Sequence, residues 1–336
     1  MPLDMSNFQY RGMGAYWTGR NLANGFGSAT TADAVARAFA KHLAGQRVLV
    51  TGTDSGIGRE AAKALATHGA EVWVASQTAE GAAATRAAIL AEAPEASVVE
   101  APGLELSDRQ AVERFAANTL ERLGSGGLHV LVNNAGVMLP NHRTTAEGLE
   151  LHFAINYLGH WHLTNLLLPA LERAAPSRIV IVSSHASRWA HSPARTRLAS
   201  VETLNSPQWG RPSGSILYSD SKLYTALHCR ALQRRLAGTG VTANALNPGF
   251  VPRTNIGTGS PRAIQYFTRA LGALVGKSVP QGAATTVYAA CAPTLEGESG
   301  LWLEDCNIFL PSNAGLDDEV AEILWGLSEQ IWKPKE

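Results

Sequence analysis

The feature that most constrains this chain is a regular alternation of short apolar runs with alanine-rich stretches of helical length. The clearest apolar runs are nearly continuous and rich in β-branched residues: Val48–Val50, Val72–Val74, Val130–Val132 and Ile179–Val182. Runs that are apolar on both faces are typical of parallel strands covered by helices. Between them lie stretches with the length of crossover helices: Glu60–His68, Thr85–Ala93 and Gln110–Leu123. The pattern predicts an α/β protein, a single-domain Rossmann fold with helices on both faces of a doubly wound parallel sheet of about seven strands.

Composition and chain order indicate one domain with an N-terminal extension. Of the 336 residues, 45% are hydrophobic and 17% are charged, which is enough apolar surface for a full core and too little charge for a disordered chain. The predicted extension, residues 1–44, is rich in glycine, asparagine and aromatic residues and contains one short helix over Ala32–Leu43. The strand–helix alternation starts near Gln46, so we place the domain at residues 45–336.

The balance of charges excludes several classes of partner. Lysine and arginine number 28, as do aspartate and glutamate, so no basic surface predicts binding to nucleic acid or to an anionic membrane.

Three cysteines, Cys229, Cys291 and Cys306, are too few and too scattered for a disulfide framework or a four-ligand zinc site. No apolar run is long enough to span a membrane, and the first residues lack the pattern of a secretory signal. We expect a cytoplasmic protein without a metal site.

A glycine-rich turn follows the first predicted strand. It reads Thr51-Gly52-Thr53-Asp54-Ser55-Gly56-Ile57-Gly58, and a predicted helix begins directly after it. Glycines let the backbone turn tightly and approach a pyrophosphate, while the start of a helix offers unpaired N–H groups and the positive end of its dipole. Such patterns also occur in plain turns, but the position between an apolar strand and a helix favours a phosphate loop.

The end of the second predicted strand bears on the choice of dinucleotide. In this fold an acidic residue at that place binds the 2′-hydroxyl of NAD, and a nearby arginine accepts the 2′-phosphate of NADP. Here the strand ends Val74-Ala75-Ser76-Gln77, with neither an acid nor an arginine. Because no carboxylate would repel a phosphate at Ser76 and Gln77, the sequence favours NADP(H), with NAD(H) as the alternative.

Tyr218 and Lys222 are candidates for acid–base chemistry. Their four-residue spacing, in a helix predicted to start at Tyr218 and to end near Leu236, places them on one helical face. A nearby ammonium favours the phenolate, so we expect Lys222 to lower the pKa of Tyr218. A group that exchanges a proton with an alcohol or ketone near neutral pH needs such a lowered pKa.

Further polar residues follow the predicted strands, where open α/β sheets bind ligands. They lie in Asn133-Asn134-Ala135-Gly136, in Ser183-Ser184 and in Asn247-Pro248-Gly249. Asn156 falls within an apolar predicted helix, where a buried amide needs a hydrogen-bond partner. Asn156 is therefore either structural or part of a proton relay.

These motifs, in this order and at this spacing, resemble those of the short-chain dehydrogenase/reductase family over residues 45–331. The resemblance rests on Thr51–Gly58, Asn133–Gly136, Ser184, Tyr218, Lys222 and Asn247–Gly249. Other stretches are similar to the branch of retinol dehydrogenases, WW-domain oxidoreductases and protochlorophyllide reductases: Phe26–Ala32, Leu204-Asn205, Glu304–Cys306 and Leu324–Glu329.

The resemblance implies roles for individual residues. The catalytic set would be Tyr218 as general acid/base, Lys222 as its assistant and nicotinamide ribose ligand, Ser184 at the substrate oxygen, and Asn156 as anchor of a relay water. The other cofactor contacts would be Gly52, Ser55, Ile57 and Gly58 at the pyrophosphate, Glu105 and Leu106 at the adenine, Asn134 and Ala135 at the ribose, Val251 at the nicotinamide amide, and Pro248 and Gly249. The chain departs from the branch at Glu105, usually aspartate, at Gln77, often arginine in NADP-using members, and at Asp54, usually asparagine.

The implied function is the interconversion of a carbonyl and an alcohol on a small, apolar organic substrate by NAD(P)(H)-dependent hydride transfer. One alternative is a conjugated C=C reductase or secondary-metabolite tailoring enzyme that uses the same acid/base pair. Another is a non-catalytic dinucleotide-binding protein. The resemblance also marks residues 185–215 as an insert and residues 252–279 as a substrate lid, and by family analogy we expect a homo-oligomer.

Overall fold

The structure, a computed structural model, describes residues 24–190, 198, 200–205, 214–252 and 276–332. Residues 1–23 of the predicted extension and residues 253–275 of the predicted lid lie outside the described residues, as do 191–197, 199 and 206–213 of the insert. In the described part of the chain, no helix combines the length and the apolar character needed to cross a membrane.

One sheet runs through the described residues. Its strands are β1 (Arg47–Thr51), β2 (Glu71–Ser76), β3 (Val98–Pro102), β4 (Val130–Asn133), β5 (Ser177–Val182), β6 (Val241–Asn247), β7 (Trp302–Glu304) and β8 (Asn307–Phe309). Their spatial order is β3-β2-β1-β4-β5-β6-β7-β8, and all neighbours are parallel except β7 and β8. The predicted doubly wound α/β fold is therefore confirmed, with one strand more than expected. The additional strand, β8, returns through a tight turn at Asp305 and Cys306, which have φ of 51° and 59°.

Helices cover both faces of this sheet. They are α1 (Ala32–Ala38), α2 (Ala40–Leu43), α3 (Gly56–Thr67), α4 (Ala79–Glu92), α5 (Arg109–Leu123), a π-helix (Phe153–Leu158) that continues into α6 (Gly159–Arg173), α7 (Val201–Asn205), α8 (Gly214–Arg235), α9 (Val279–Cys291) and α10 (Asp318–Ile331). One apolar core joins α1, α3, α4 and α9 to the sheet, and a second joins α5, α6, α8 and α10 to its other face. Within β1, Val48 and Val50 enter one core and Leu49 the other, as the alternation of side chains along a strand requires.

The helix predicted over Ala32–Leu43 is in fact two short helices. Phe39 interrupts them, with a non-helical φ of −114° and ψ of 20°. Its ring packs against those of Phe26 and Tyr288, with centroids 5.6 and 6.1 Å away. This tertiary contact holds Phe39 outside helical geometry, although the local sequence favours a continuous helix.

The helix predicted to start at Tyr218 starts one turn earlier, at Gly214. The Gly214 N–H donates to the Pro140 carbonyl oxygen at 3.1 Å, and an added Cβ would overlap the Leu139 carbonyl group. The close approach of the chain after β4 therefore requires a glycine at this helix start. Tyr218 consequently lies in the second turn of α8.

The strand order determines where a ligand can bind. Strands β2 and β3 lie on one side of β1 and the later strands lie on the other, so the direction of winding reverses between β1 and β4. Open parallel sheets bind ligands beyond the carboxyl ends of the strands at such a reversal. The residues that end the central strands there are Thr51, Asn133, Val182 and Asn247.

Candidate active site

The turn after β1 has the form of a phosphate cradle. Gly52 has a positive φ of 70°, and an added Cβ would lie 2.7 Å from the Ala135 Cα. An added Cβ at Gly58 would overlap the Gly52 carbonyl oxygen and the Asn134 side chain. Helix α3 begins at Gly56 without an acidic residue in its first turn, so its N–H groups and positive dipole end are available to an anion. The residues present therefore fit the pyrophosphate of a dinucleotide.

The first turn of α3 also meets the chain after β6. Ser55 precedes the helix in an extended conformation, with φ of −164°, and Ile57 follows in its first turn. A Cβ added to Gly282 in α9 would overlap Val251 and lie 3.5 Å from Ile57 Cγ1. Ile57 and Val251, which the resemblance assigns to the pyrophosphate and to the nicotinamide amide, therefore both lie beside Gly282.

Thr51 links the ends of β1 and β4. Its buried hydroxyl oxygen accepts the N–H of Asn134 at 2.9 Å and that of Ala135 at 3.0 Å. The Asn134 side-chain amide donates to the carbonyl oxygens of Thr51 at 2.8 Å and Gly52 at 3.3 Å. Asn134 and Ala135 are therefore fixed beside the glycine turn, with the Asn134 amide used within the protein. No role was predicted for Thr51 itself, although it directly precedes Gly52 in the glycine turn.

The residues predicted at the adenosine end divide into buried and accessible side chains. The Ser76 side chain is buried with its hydroxyl 3.2 Å from that of Thr53, and the Leu106 side chain belongs to the core. Either residue can therefore reach a ligand only through its backbone. The side chains of Gln77 and Glu105, by contrast, lie at the surface and hydrogen-bond each other.

A carboxylate therefore lies beside the end of β2, contrary to the expectation from β2 alone. Glu105 comes from the loop after β3, which pairs with β2 so that Ser76 lies opposite Pro102. Its Oε1 accepts the N–H of Ser107 at 2.9 Å and the Ser107 hydroxyl at 2.6 Å. The pairing of β2 with β3 brings the Glu105 carboxylate to Gln77. The residues of β2 alone do not predict this pairing.

Tyr218, Ser184 and Lys222 come together where β5 ends against α8. The Ser184 side chain lies near enough to the Tyr218 phenol to favour its deprotonated form, and Lys222 Nζ lies over the Tyr218 ring, 5.7 Å from its centroid. Lys222 Nζ donates to the Val182 carbonyl oxygen at 2.9 Å, and the Ser183 hydroxyl donates to the Lys222 carbonyl oxygen at 2.7 Å. The two adjacent serines therefore have different contacts: Ser183 hydrogen-bonds the main chain of α8, and Ser184 lies beside the Tyr218 phenol.

Burial determines the proton affinities of this group. It raises the pKa of Tyr218, and the Ser184 side chain offsets only part of that increase. The expectation that Lys222 lowers the pKa of Tyr218 was wrong: burial raises this pKa, and the Lys222 ammonium hydrogen-bonds the Val182 carbonyl. Burial also lowers the pKa of Lys222 to about 8. With its pKa raised, the Tyr218 phenol is protonated at neutral pH.

Asn156 lies in the π-helix, a geometry that the sequence pattern did not indicate and that is frequent at functional sites. Its Oδ1 accepts the Val137 N–H at 2.8 Å, and its Nδ2 donates to the Val137 carbonyl at 3.0 Å and to the Ser221 hydroxyl at 2.9 Å. An added Cβ at Gly136 would lie 3.2 Å from Asn156 Oδ1 and 3.5 Å from Lys222 Nζ. The amide is thus fully bonded within the protein and lies near the Lys222 ammonium.

Asn247, the last residue of β6, joins two loops of the site. Its Oδ1 accepts the N–H of His185, which follows Ser184, at 3.0 Å and the N–H of Gly249 at 3.1 Å. Gly249 has a positive φ of 86° directly after Pro248, so the chain turns sharply away from the strand. Asn247 belongs to a predicted motif but was not among the predicted site residues. Its amide fixes the backbone after Ser184 relative to that after β6.

The described parts of the insert are anchored to the domain. His185–Trp189 forms a 3₁₀-helix in which the Ser184 hydroxyl accepts the Ala186 N–H at 3.1 Å, and Trp189 is 70% exposed. Further along, Asn205 at the end of α7 accepts the Glu150 N–H at 2.8 Å. The predicted influence of the insert on specificity stays a prediction, as does that of the lid.

Comparison with known proteins gives relatives that align with almost the whole chain. A family model described as short chain dehydrogenase matches residues 46–194. The chain is 36% identical to short-chain dehydrogenase TIC 32 B, chloroplastic, of Brassica napus over 94% of its length and 96% of the relative's. It is 39% identical to mouse retinol dehydrogenase 14, covering 85% of each chain, and 37% identical to the human WW domain-containing oxidoreductase, covering 87% of this chain and 69% of that one.

A solved structure agrees with these relatives. The crystal structure of an uncharacterised protein from Mycobacterium paratuberculosis superimposes with a TM-score of 0.66 at 30% identity. The superposition covers 87% of this chain and 95% of that one.

Proposed function

The chain belongs to the short-chain dehydrogenase/reductase family and is an oxidoreductase, and on this premise we propose that it interconverts a carbonyl and an alcohol on a small apolar substrate. The observation that carries the proposal is the placement of Ser184 beside the Tyr218 phenol, with the buried Lys222 over the phenol ring. Two hydroxyl groups that meet in this way can bind one substrate oxygen between them. One of them then supplies the proton that carbonyl reduction requires.

A bound nicotinamide dinucleotide supplies the hydride that is exchanged with the substrate carbon. Gly52, Ser55 and Gly58, with the start of α3, would hold its pyrophosphate. Gln77 and Glu105 would meet its adenosine end, and the chain around Val251 would line its nicotinamide side. The glycine cradle supports this assignment, since a Cβ at Gly52 or Gly58 has no room.

The side chains then divide the proton chemistry. Tyr218 donates its proton to the substrate oxygen during reduction, and Ser184 stabilises the charge that develops there. The Lys222 ammonium, whose pKa burial lowers to about 8, can return a proton near neutral pH. Since the Asn156 amide is bonded to Val137 and Ser221, Asn156 would bind a relay water through its main-chain carbonyl.

An assay with ketone and enone substrates tests the proposed reaction. We expect the purified chain with NADPH to convert apolar ketones to alcohols, followed as loss of nicotinamide absorbance and identified by product mass and NMR. A saturated ketone formed from an enone would instead support conjugated C=C reduction. Dinucleotide binding without turnover of any carbonyl compound would support the non-catalytic function and contradict the proposal.

We further propose that NADP(H) is preferred and that NAD(H) is also accepted. In support, β2 ends without an acid, so the ligand for a 2′-hydroxyl is absent from the strand itself. The Glu105 carboxylate beside Gln77 acts against this preference, because it would repel a 2′-phosphate. We therefore expect only a small difference between the Kd values of the wild-type chain for NADP(H) and NAD(H).

Removal of the Glu105 charge should increase the preference for NADP(H) over NAD(H). In Glu105→Gln we expect the Kd for NADP+ to fall about three- to tenfold while the Kd for NAD+ changes less than about twofold, because only NADP+ has the 2′-phosphate. Titration of each dinucleotide by fluorescence measures both values. Glu100→Gln in β3 is the control, since its carboxylate lies near Arg86 at 4.0 Å and should affect neither Kd. Equal changes for both dinucleotides in Glu105→Gln would contradict this placement of the 2′-phosphate.

The remaining expectations stay predictions. Cytoplasmic location needs cell fractionation, since one relative is named as chloroplastic. Homo-oligomer formation is to be measured by light scattering of the purified chain. A small apolar substrate as the only partner, without nucleic acid or membrane, is likewise to be established by binding assays.

A further inference from the structure

His160 contacts both halves of the candidate active site, although no role has been given to it above. It lies in the first turn of α6, directly after the π-helix, and is 3% exposed. Its Nε2 lies 2.9 Å from the Thr51 hydroxyl oxygen, and its Nδ1 lies 3.3 Å from the main-chain carbonyl oxygen of Asn156. One imidazole thus connects the end of β1 to the π-helix.

The surrounding hydrogen bonds determine the tautomer of this imidazole. The Thr51 hydroxyl oxygen already accepts two N–H groups of the loop after β4, so its own proton must be donated elsewhere. His160 Nε2 is the nearer acceptor at 2.9 Å, against 3.3 Å for the Val132 carbonyl. Nε2 is therefore unprotonated, and Nδ1 carries the hydrogen that the Asn156 carbonyl accepts.

The charges nearby favour this neutral form. Burial lowers the pKa of His160 to about 4; the hydrogen bond with the Asn156 carbonyl opposes this shift, and the positive charge of Lys222 adds to it. No described carboxylate forms an ion pair with His160 that would favour the imidazolium. The ring therefore keeps one donor and one acceptor at neutral pH.

We propose that His160 is a positioning residue that couples the loop at the nicotinamide ribose to the π-helix at the proton relay; the inference rests on the proposed function. Through Nε2 it orients the Thr51 hydroxyl, whose oxygen fixes the N–H groups of Asn134 and Ala135. Through Nδ1–H it occupies one lone pair of the Asn156 carbonyl and so sets the direction of the other, which would accept the relay water.

Two substitutions separate these contacts, because an asparagine amide lies near the position of Nδ1 and a glutamine amide near that of Nε2. In His160→Asn, which keeps a donor to Asn156, we expect the dinucleotide Kd to rise about five- to tenfold with kcat within about twofold. In His160→Gln, which keeps an acceptor for Thr51, we expect kcat to fall about five- to tenfold with Kd within about twofold. His160→Leu should show both changes.

The matched controls are the same substitutions at His162. Its ring lies two residues further along α6 and contacts Glu113 at 3.3 Å and the Trp332 ring at a centroid distance of 5.4 Å, away from the site. His162→Asn and His162→Gln should leave both Kd and kcat unchanged. Kd is measured by fluorescence titration and kcat at saturating substrate, each per folded protein as determined by circular dichroism.

We expect His160→Asn to change mainly Kd and His160→Gln to change mainly kcat. A residue that only packs in the core would not give opposite results in the two variants. Parallel changes in the two variants, or none, would overturn the inference. Should the wild-type chain bind no dinucleotide, the proposed function fails by itself. Nitrogen-15 NMR of histidine-labelled protein then tests the contacts of His160 with Thr51 and Asn156 independently of dinucleotide binding. A proton on Nδ1 of His160 supports these contacts, and a proton on Nε2 overturns them.

Discussion

Replacement of Tyr218 by phenylalanine is expected to lower kcat for carbonyl reduction by about 100-fold or more, with the dinucleotide Kd unchanged within about twofold. The substitution removes the hydroxyl beside Ser184 and leaves the ring over which the Lys222 ammonium lies. Binding and packing are therefore conserved while the proton donor is lost. Steady-state assays at saturating dinucleotide and titration of the dinucleotide measure the two quantities.

Tyr224→Phe is the matched control for this experiment. Tyr224 lies on the same helix, is also buried, and packs its ring against those of Phe153 and Tyr157 at centroid distances of 5.8 and 6.2 Å. Its loss of a hydroxyl should change kcat less than about twofold. Turnover of Tyr218→Phe equal to that of the wild-type chain would remove Tyr218 from the mechanism, whatever the control shows.

A second large effect is expected from alanine at Gly58. The added Cβ would overlap the Gly52 carbonyl oxygen and the Asn134 side chain, so the glycine turn and the loop after β4 must separate. Overpacking of this kind costs about 1–3 kcal/mol of stability and distorts the cradle that would hold the pyrophosphate. We expect the Kd for the dinucleotide to rise more than about tenfold and the Tm to fall, measured by titration and calorimetry.

Gly326→Ala tests whether the effect belongs to the site. Gly326 lies in helix α10 with nothing within 4 Å of an added Cβ. Alanine there should leave the Kd unchanged and leave or slightly raise the Tm, because it favours the helix by up to about 1 kcal/mol. If Gly58→Ala binds the dinucleotide as tightly as Gly326→Ala does, the cradle is not the pyrophosphate site.

Much of the fold follows from local patterns in the chain. Val48–Val50 reads as a buried strand because every residue is apolar, and the structure places these side chains in the cores on both faces of the sheet. The glycine turn can be recognised because only glycine has low steric cost at a φ such as the 70° of Gly52. The spacing of Tyr218 and Lys222 likewise places both on one helical face without knowledge of the rest.

Other features depend on residues far apart in the chain. The Glu105 carboxylate reaches Gln77 only because β2 and β3 pair, and Phe39 leaves helical geometry only because Phe26 and Tyr288 pack against it. The direction of the Tyr218 pKa could not be predicted from its spacing to Lys222. Burial raises this pKa, and the Lys222 ammonium hydrogen-bonds the Val182 carbonyl.

By itself, therefore, the sequence determined the class of fold, the place of the glycine turn and the common helical face of Tyr218 and Lys222, because each depends on residue type and short-range periodicity. The choice of Ser184 came from the family resemblance. Only the tertiary structure decided how these groups titrate and what holds them, including the His160 bridge between Thr51 and Asn156. The physical reason is that proton affinity and hydrogen-bond direction depend on burial and on distances between distant segments. Neither quantity is present in a local pattern.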